Sequence, residues 1–331
     1  MQKKWKLAVG SLAAASLLLT GCGDKLGTKE DKASGGQIRV VTTFYPMYEF
    51  TKQVGGDFVD ATLLVPGGTE PHDWEPTAKD VARIADADLF VYNGAGFEGW
   101  VEDVLHNLEG AKVKPVEASA GIELIEGGHD HDEHEGEKKE EEHKEGEHKE
   151  EAHGEKGAHD PHVWTDPVLV QKEVENIAAA LAELDQARAA EYKKNADAYL
   201  AKLKALDEKY KAELASSKSK EFVTAHESFA YLAKRYGLTQ EPISGLSPEQ
   251  EPSAAQMAEI VAWAKEHQVK TIFFETLVSP KVAEAVAREM GAKTAVLNPL
   301  EGLTEEEQAK GLDYIGVMEQ NLEALKKALN E

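Results

Sequence analysis

Cysteine is nearly missing: the 331 residues contain one, Cys22. A lone thiol builds no internal disulfide framework, so its place in the chain needs another explanation. Positive charge is also short. There are 37 Lys and Arg against 61 Asp and Glu, a formal net charge of -24. That balance argues against nucleic acid, whose phosphates need a basic face, and against broad adsorption to an anionic membrane. It suits the attraction of cations. Large apolar side chains are missing from one long stretch: between Gly127 and Asp160 none exceeds alanine. Glycine and proline are missing from another, Ala187–Leu214.

What is present fits a soluble globular protein with a disordered insert, since 41% of residues are hydrophobic and 30% charged. The length allows two ordinary domains. Lys3, Lys4 and Lys6 precede an apolar run from Leu7 to Leu19, which is too short for an ordinary transmembrane span. The run ends in Leu19-Thr20-Gly21-Cys22. This pattern reads as an export signal over residues 1–21. Its ending resembles a bacterial lipoprotein signal, which makes Cys22 the lipidated first residue of the mature chain; an ordinary signal peptide with a chance cysteine is the alternative. Lipid chains on one residue anchor an otherwise soluble protein. Residues 22–37 read as a tether.

From Ile38 strands and helices alternate. Ile38–Phe44, Val59–Val65, Leu89–Asn93 and Lys112–Glu117 read as strands, with helices at Pro46–Gln53, Ala78–Asp86 (capped by Thr77) and Phe97–Leu108. Past Ala215–Ser219 the alternation resumes, with strands at Glu221–Ala225, Val269–Phe274 and Lys293–Leu297, while Thr239–Pro252 reads as strand-poor. Ser253 and Ser279-Pro280 open helices, and a last helix runs from Asp313 to Leu329. The implied fold class is α/β: two α/β lobes with mainly parallel central sheets. Leu169–Leu184 is an amphipathic helix. The run Ala187–Leu214 would extend roughly 40 Å, a long rigid backbone helix between the lobes; a coiled-coil partner is the alternative. The domains are therefore an N-terminal lobe over 38–186, a linker helix over 187–216 and a C-terminal lobe over 217–331.

His129, His131, His134, His143, His148, His153 and His159 lie in one acidic tract, a disordered loop over 127–159. Residues 123–160 hold 16 acidic and 5 basic side chains, so the segment contributes -11 of the net charge. Such a segment cannot repay its ordering entropy. Its imidazoles and carboxylates suit zinc, nickel or copper, with zinc the default outside a redox site. The irregular spacing suggests an auxiliary collector rather than one defined site; a solubilising linker is the alternative.

Other histidines stand at strand ends or loop–helix junctions. His72 follows Pro66-Gly67-Gly68-Thr69-Glu70-Pro71, His226 ends a strand, and His162 sits in Asp160-Pro161-His162-Val163-Trp164-Thr165-Asp166-Pro167. Glu275 directly follows Thr-Ile-Phe-Phe, where a carboxylate needs an exposed cleft, a counter-charge or a metal. The expected metal shell is His72, His162, His226 and Glu275, three imidazoles and a carboxylate around Zn2+ in the interlobe cleft. A lone strand-end histidine is ordinary in itself, and His162 could be the last member of the tract. His106 and His267 read as surface residues.

Together these segments resemble the zinc-binding branch, of the ZnuA/AdcA type, of the solute-binding lipoproteins that serve metal ABC importers. The resemblance is carried by Phe44-Tyr45-Pro46, Pro66-Gly67-Gly68, Pro71–Pro76, Asn93-Gly94 with Glu98 and Trp100, Asp160–Pro167, Ala225-His226, Gly245-Leu246-Ser247, Glu251-Pro252-Ser253, and Phe274-Glu275 with Ser279-Pro280. It implies two α/β lobes joined by a rigid helix, metal in the cleft, and ligands at His72, His162, His226 and Glu275. It also implies a membrane permease and a cytoplasmic ATPase as partners, and lipid anchoring on the outer face of a bacterial cell membrane, in the manner of a Gram-positive cell. Asn298 stands where many relatives have Asp.

The activity expected is capture and delivery of zinc by a non-enzyme. Imidazole ligation implies binding that weakens as pH falls toward about 6. A zinc hydrolase is the first rival, disfavoured because a fourth protein ligand closes the open position and no His-Glu-x-x-His motif occurs. A surface metal buffer or adhesin that never hands metal on is the second. The sequence shows no oligomeric interface, which implies a monomer.

Overall fold

The computed structural model describes residues 36–127 and 159–331. The expectations for the signal, for Cys22 and for His129, His131, His134, His143, His148 and His153 lie outside the described residues. In chain order the elements are β1 (Ile38–Thr42), α1 (Tyr45–Gly55), β2 (Val59–Leu63), α2 (Ala78–Asp86), β3 (Leu89–Tyr92), α3 (Val101–Asn107) and β4 (Lys114–Glu117). Then follow α4 (Leu169–Leu184), α5 (Ala189–Leu214), β5 (Glu221–His226), α6 (Ala230–Tyr236), β6 (Thr239–Ser244) and α7 (Ala254–Glu266). The chain closes with β7 (Thr271–Phe274), α8 (Lys281–Met290), β8 (Lys293–Val296), α9 (Glu305–Ala309) and α10 (Tyr314–Ala328).

The strands form two four-stranded sheets, ordered β2-β1-β3-β4 and β6-β5-β7-β8, and every pairing is parallel. Parallel strands need helical crossovers, which bury the sheet on both faces. This is why β1 and β3 read as continuous apolar runs: Val40, Val41, Leu89, Phe90 and Val91 are all buried. The strand order reverses beside β1 in one sheet and beside β5 in the other. Open α/β sheets collect ligands at such switch points, beyond the carboxyl ends of the strands.

Local signals set the helix starts. Thr77 and Ser253 each form a reciprocal capping box, with Asp80 and Gln256, before α2 and α7. Pro46 lies in the first turn of α1, where its missing N–H costs nothing. Gly237 ends α6 at φ 65°, a left-handed conformation that a side chain resists.

One expectation fails here. The stretch read as strand-poor contains β6, an edge strand paired to β5 from Glu221↔Thr239 to His226↔Ser244. Pro242 and the polar pair Gln240-Glu241 hide it in the sequence. An edge position tolerates the proline, and Gln240 is buried because its amide donates to Thr224 Oγ1 at 2.7 Å and to the His226 carbonyl at 3.0 Å. The short α9 was also not anticipated, and α3 starts four residues later than expected.

The 26 residues of α5 rise about 39 Å. Tyr192, Ala196, Tyr199, Leu203, Leu206, Tyr210 and Leu214 line its buried face. They pack against α1 and α4 from the first half and α10 from the second. One apolar cluster therefore runs from Ile38 through α5 to Leu329, and α5 is a packed element of both halves. No helix among the described residues is long and apolar enough to cross a membrane.

Candidate metal centre

Three loops and one strand end converge between the sheets. His72 lies in the loop after β2, His162 immediately before a 3-10 turn (Val163–Thr165), His226 at the end of β5 and Glu301 in the loop after β8. Breakers shape the first and last of these loops. Leu300 takes φ 63°, which is strained for a branched L residue. Asn298 holds it there: its side-chain oxygen accepts from Leu300 N at 2.7 Å, while its backbone N–H donates to Asn321. Gly68 N donates to Leu303 O at 3.0 Å, so the loops carrying His72 and Glu301 meet over the cleft.

One nitrogen from each imidazole and one Glu301 oxygen lie within 4.8 Å of one another. Glu301 Oε1 stands 3.3 Å from His72 Nε2, 3.5 Å from His162 Nε2 and 3.3 Å from His226 Nε2. His162 Nε2 is 3.4 Å from the Nε2 atoms of both His72 and His226. A tetrahedron with metal–donor bonds of 2.0–2.1 Å has edges of about 3.3–3.4 Å. Five of the six edges thus already stand near the spacing a small tetrahedral cation demands, and the sixth, between His72 and His226, is within 4.8 Å. An octahedral ion would need two further donors beyond these four.

The structure corrects one expected ligand. Glu275 is not in the four-donor group; it stands behind His226, its Oε1 2.6 Å from His226 Nδ1 and 3.2 Å from the His226 backbone N–H. The physical reason is position. Glu275 directly follows β7, the neighbour of β5 in the sheet, so its side chain meets the far side of the imidazole that ends β5. Glu301 lies further along, on a loop that carries it back into the cleft. His159 is exposed, joined to Glu126 by an antiparallel bridge, and lies outside the group. His106 and His267 are exposed, as expected.

Asp160 does for His162 what Glu275 does for His226. Its Oδ1 accepts the His162 backbone N–H at 2.9 Å and lies 2.7 Å from Nδ1. A carboxylate on Nδ1 keeps the proton there, leaves the Nε2 lone pair facing the metal position and raises ligand basicity. Among the described residues no carboxylate stands behind the Nδ1 of His72. Phe97 packs edge-on against His72 at 4.8 Å, and Trp164 lies 5.1 Å from His162. His162, His226 and Glu301 are buried, at 0%, 0% and 2% exposure.

Burial and charge pull these groups in different directions. Burial pulls the His162 pKa down, but the hydrogen bond and charge of Asp160 outweigh it, and the pKa stands raised. Burial opposes protonation of His226 too, yet Glu275 and Glu301 lift it well above its ordinary value. At His72 burial wins over the single carboxylate Glu301, and the pKa is lowered. Burial pushes Glu301 up, but the surrounding imidazoles hold it well below the usual carboxylate range. The centre is built to hold a carboxylate beside positive charge, whether that charge is a proton or a metal ion.

Two parallel-sheet lobes sharing a long packed helix, with three imidazoles and a carboxylate meeting between them, define a two-lobed binding protein with a cation cleft. Comparison with known proteins fixes the group more closely. Residues 40–328 match the family described as zinc-uptake complex component A, periplasmic, and the chain belongs to that family. It is 51% identical over 329 residues to the high-affinity zinc uptake system protein ZnuA of Bacillus subtilis, covering 99% of each chain. It is 45% identical over 332 residues to the zinc-binding lipoprotein AdcA of Streptococcus pneumoniae, covering 99% of this chain but 62% of that protein. The crystal structure of the Zn(II)-bound ZnuA-like domain of that AdcA superposes with a TM-score of 0.74 at 43% identity, over 89% of this chain and all of that one.

Proposed function

We propose that this protein is the extracytoplasmic zinc-binding component of an ABC-type zinc importer, capturing Zn2+ between its lobes and delivering it to a membrane permease driven by a cytoplasmic ATPase. The observation that carries this reading is the donor spacing. Three imidazole nitrogens and one carboxylate oxygen stand 3.3–3.5 Å apart along the edges quoted above, as a four-coordinate zinc shell requires. The ligands are His72, His162, His226 and Glu301, with Asp160 and Glu275 orienting two of the imidazoles. Four protein donors leave no open position for an activated water, so the site suits holding an ion rather than hydrolysis.

Family membership supports delivery, the permease and the ATPase. The Leu19-Thr20-Gly21-Cys22 ending supports lipidation at Cys22, which would hold the protein at the outer face of the cell membrane, and the density of histidine supports metal collection by the tract. Calorimetric titration with Zn2+ and Mn2+, of the whole mature chain and of a version lacking residues 128–158, tests the reading. One tight zinc site surviving the deletion, with weaker sites lost, is the expected result. Tight binding that disappears with the tract would overturn the cleft assignment.

A further inference from the structure

The helix that follows one ligand grips the segment that carries another. His226 ends β5, and α6 begins four residues later. Two side chains of α6, Tyr231 and Arg235, are one helical turn apart and so share a face. The Tyr231 hydroxyl donates to Asp160 O at 2.7 Å and accepts from Ile125 N at 3.1 Å. Arg235 Nε donates to Asp166 Oδ2 at 2.7 Å. Asp160 N in turn donates to Ile125 O at 3.0 Å, so Tyr231 sits between two paired stretches of backbone. The two residues of α6 thereby fasten both ends of Asp160–Asp166, and His162 lies between them.

We infer that Tyr231 and Arg235 are positioning residues of the zinc centre, tying the azimuth of His162 to that of His226 through α6. This rests on the function proposed above. The physical chain is short. Tyr231 fixes the backbone of Asp160, whose carboxylate holds both the backbone N–H and Nδ1 of His162. Arg235 fixes Asp166, whose other oxygen accepts Val168 N at 2.8 Å just ahead of α4. Tyr231 is 4% exposed and its hydroxyl uses both donor and acceptor capacity, as a group placed for geometry does. Without the clasp the segment keeps the bonds that Pro161 O accepts from Asn93 Nδ2, that Trp164 Nε1 donates to Pro299 O and that Trp164 O accepts from the Tyr314 hydroxyl. None of these comes from β5 or α6, the elements that set His226, and the 3.4 Å edge between the Nε2 atoms of His162 and His226 loses its direct tie. The tetrahedral preference then relaxes, because ligand orientation is set by what stands behind each ligand.

The test uses the full mature chain with two readouts: zinc affinity by competition with a chromophoric chelator, and the visible absorption of bound Co2+, which is intense in a tetrahedral field. Tyr231→Phe keeps the ring and removes the hydroxyl. It is expected to weaken zinc binding about tenfold, the low end for groups that orient a metal ligand, and to reduce the Co2+ bands. Arg235→Gln is expected to move both readouts the same way by less, and it decides the matter if Tyr231→Phe does not fold. Tyr210→Phe is the control: its hydroxyl donates to Met318 O at 2.6 Å, an equally buried bond outside the clasp, between α5 and α10. It is expected to leave the Co2+ spectrum unchanged. Wild-type spectra and affinities in both α6 variants, or an equal change in Tyr210→Phe, would overturn the inference. Failure of the wild-type protein to bind Zn2+ or Co2+ would overturn the proposed function itself.

Discussion

The strands β7 and β8 are neighbours in one sheet, and each is followed by a glutamate, Glu275 and Glu301. Both are buried, at 4% and 2% exposure, and both lie within reach of His226. Yet one meets Nδ1 and the other Nε2, the opposite edges of a single ring. Glu275 stands behind one imidazole; Glu301 faces the Nε2 atoms of all three. The difference comes from a few residues of loop and from Asn298, which holds Leu300 in a left-handed turn ahead of Glu301. Residue type and proximity to a strand end are therefore not enough to tell a ligand from its support.

The largest effect expected from breaking this pair is at Glu301. Glu301→Ala removes one of four donors. With about 10–16 kcal/mol for a four-ligand zinc site, one ligand is worth about 3 kcal/mol, so zinc affinity should fall about 100-fold, read by chelator competition. Glu275→Gln should cost less, about tenfold, because the donor remains and only its orientation is loosened. If Glu275→Gln proves the more damaging of the two, the roles assigned here are reversed.

The pH dependence sharpens the same contrast. In the metal-free protein the His226 pKa is raised. Its contribution to stability is fully present below about 6.5, the unfolded value, and is lost as pH rises through the folded value. The Glu301 pKa is depressed, so its contribution is present above about 4.3 and is lost as pH falls through the folded value. Zinc replaces the His226 proton, so the rise in Tm produced by a fixed zinc excess should grow from pH 6 to pH 8. In Glu275→Gln the His226 proton is held less tightly, and that growth should be shallower. A Tm gain independent of pH in wild type would break the account of His226.

The smallest effect on zinc is expected at Asn298→Ala, which removes the acceptor for Leu300 N and the donor to Glu307 Oε1. It should destabilise the fold by about 1–3 kcal/mol, the cost of stranding a buried polar partner. Zinc affinity should weaken only a few-fold, since Gly68 still donates to Leu303 across the loop carrying Glu301. Chemical denaturation and titration on the same variant separate the two numbers.

Much of the protein was legible because its signals are local. Apolar runs bounded by Gly and Pro gave most strands of both sheets, and the capping residues Thr77 and Ser253 stand where helices begin. His72, His162 and His226 could be chosen because each is a histidine at a strand end or beside proline. Glu301 could have been found by the same rule that selected Glu275, a carboxylate after a strand and a turn. Asn298-Pro299-Leu300 was the signal for that turn. The strand β6 was missed because Pro242, Gln240 and Glu241 mask it, and its burial depends on hydrogen bonds to β5 that no local pattern encodes.

By itself the sequence determined the α/β class, the long helix without breakers, the three imidazoles and the family, because periodicity, breakers and residue identity are carried by neighbours along the chain. Only the tertiary structure decided which glutamate faces the three imidazoles, which carboxylates stand behind His162 and His226, and which helix clasps the segment between Asp160 and Asp166. Apart from Asp160 and His162, two positions apart, those relations join residues tens to more than two hundred positions apart. Their outcome turns on distances of about an ångström, set by loop conformation and sheet order after the core has packed.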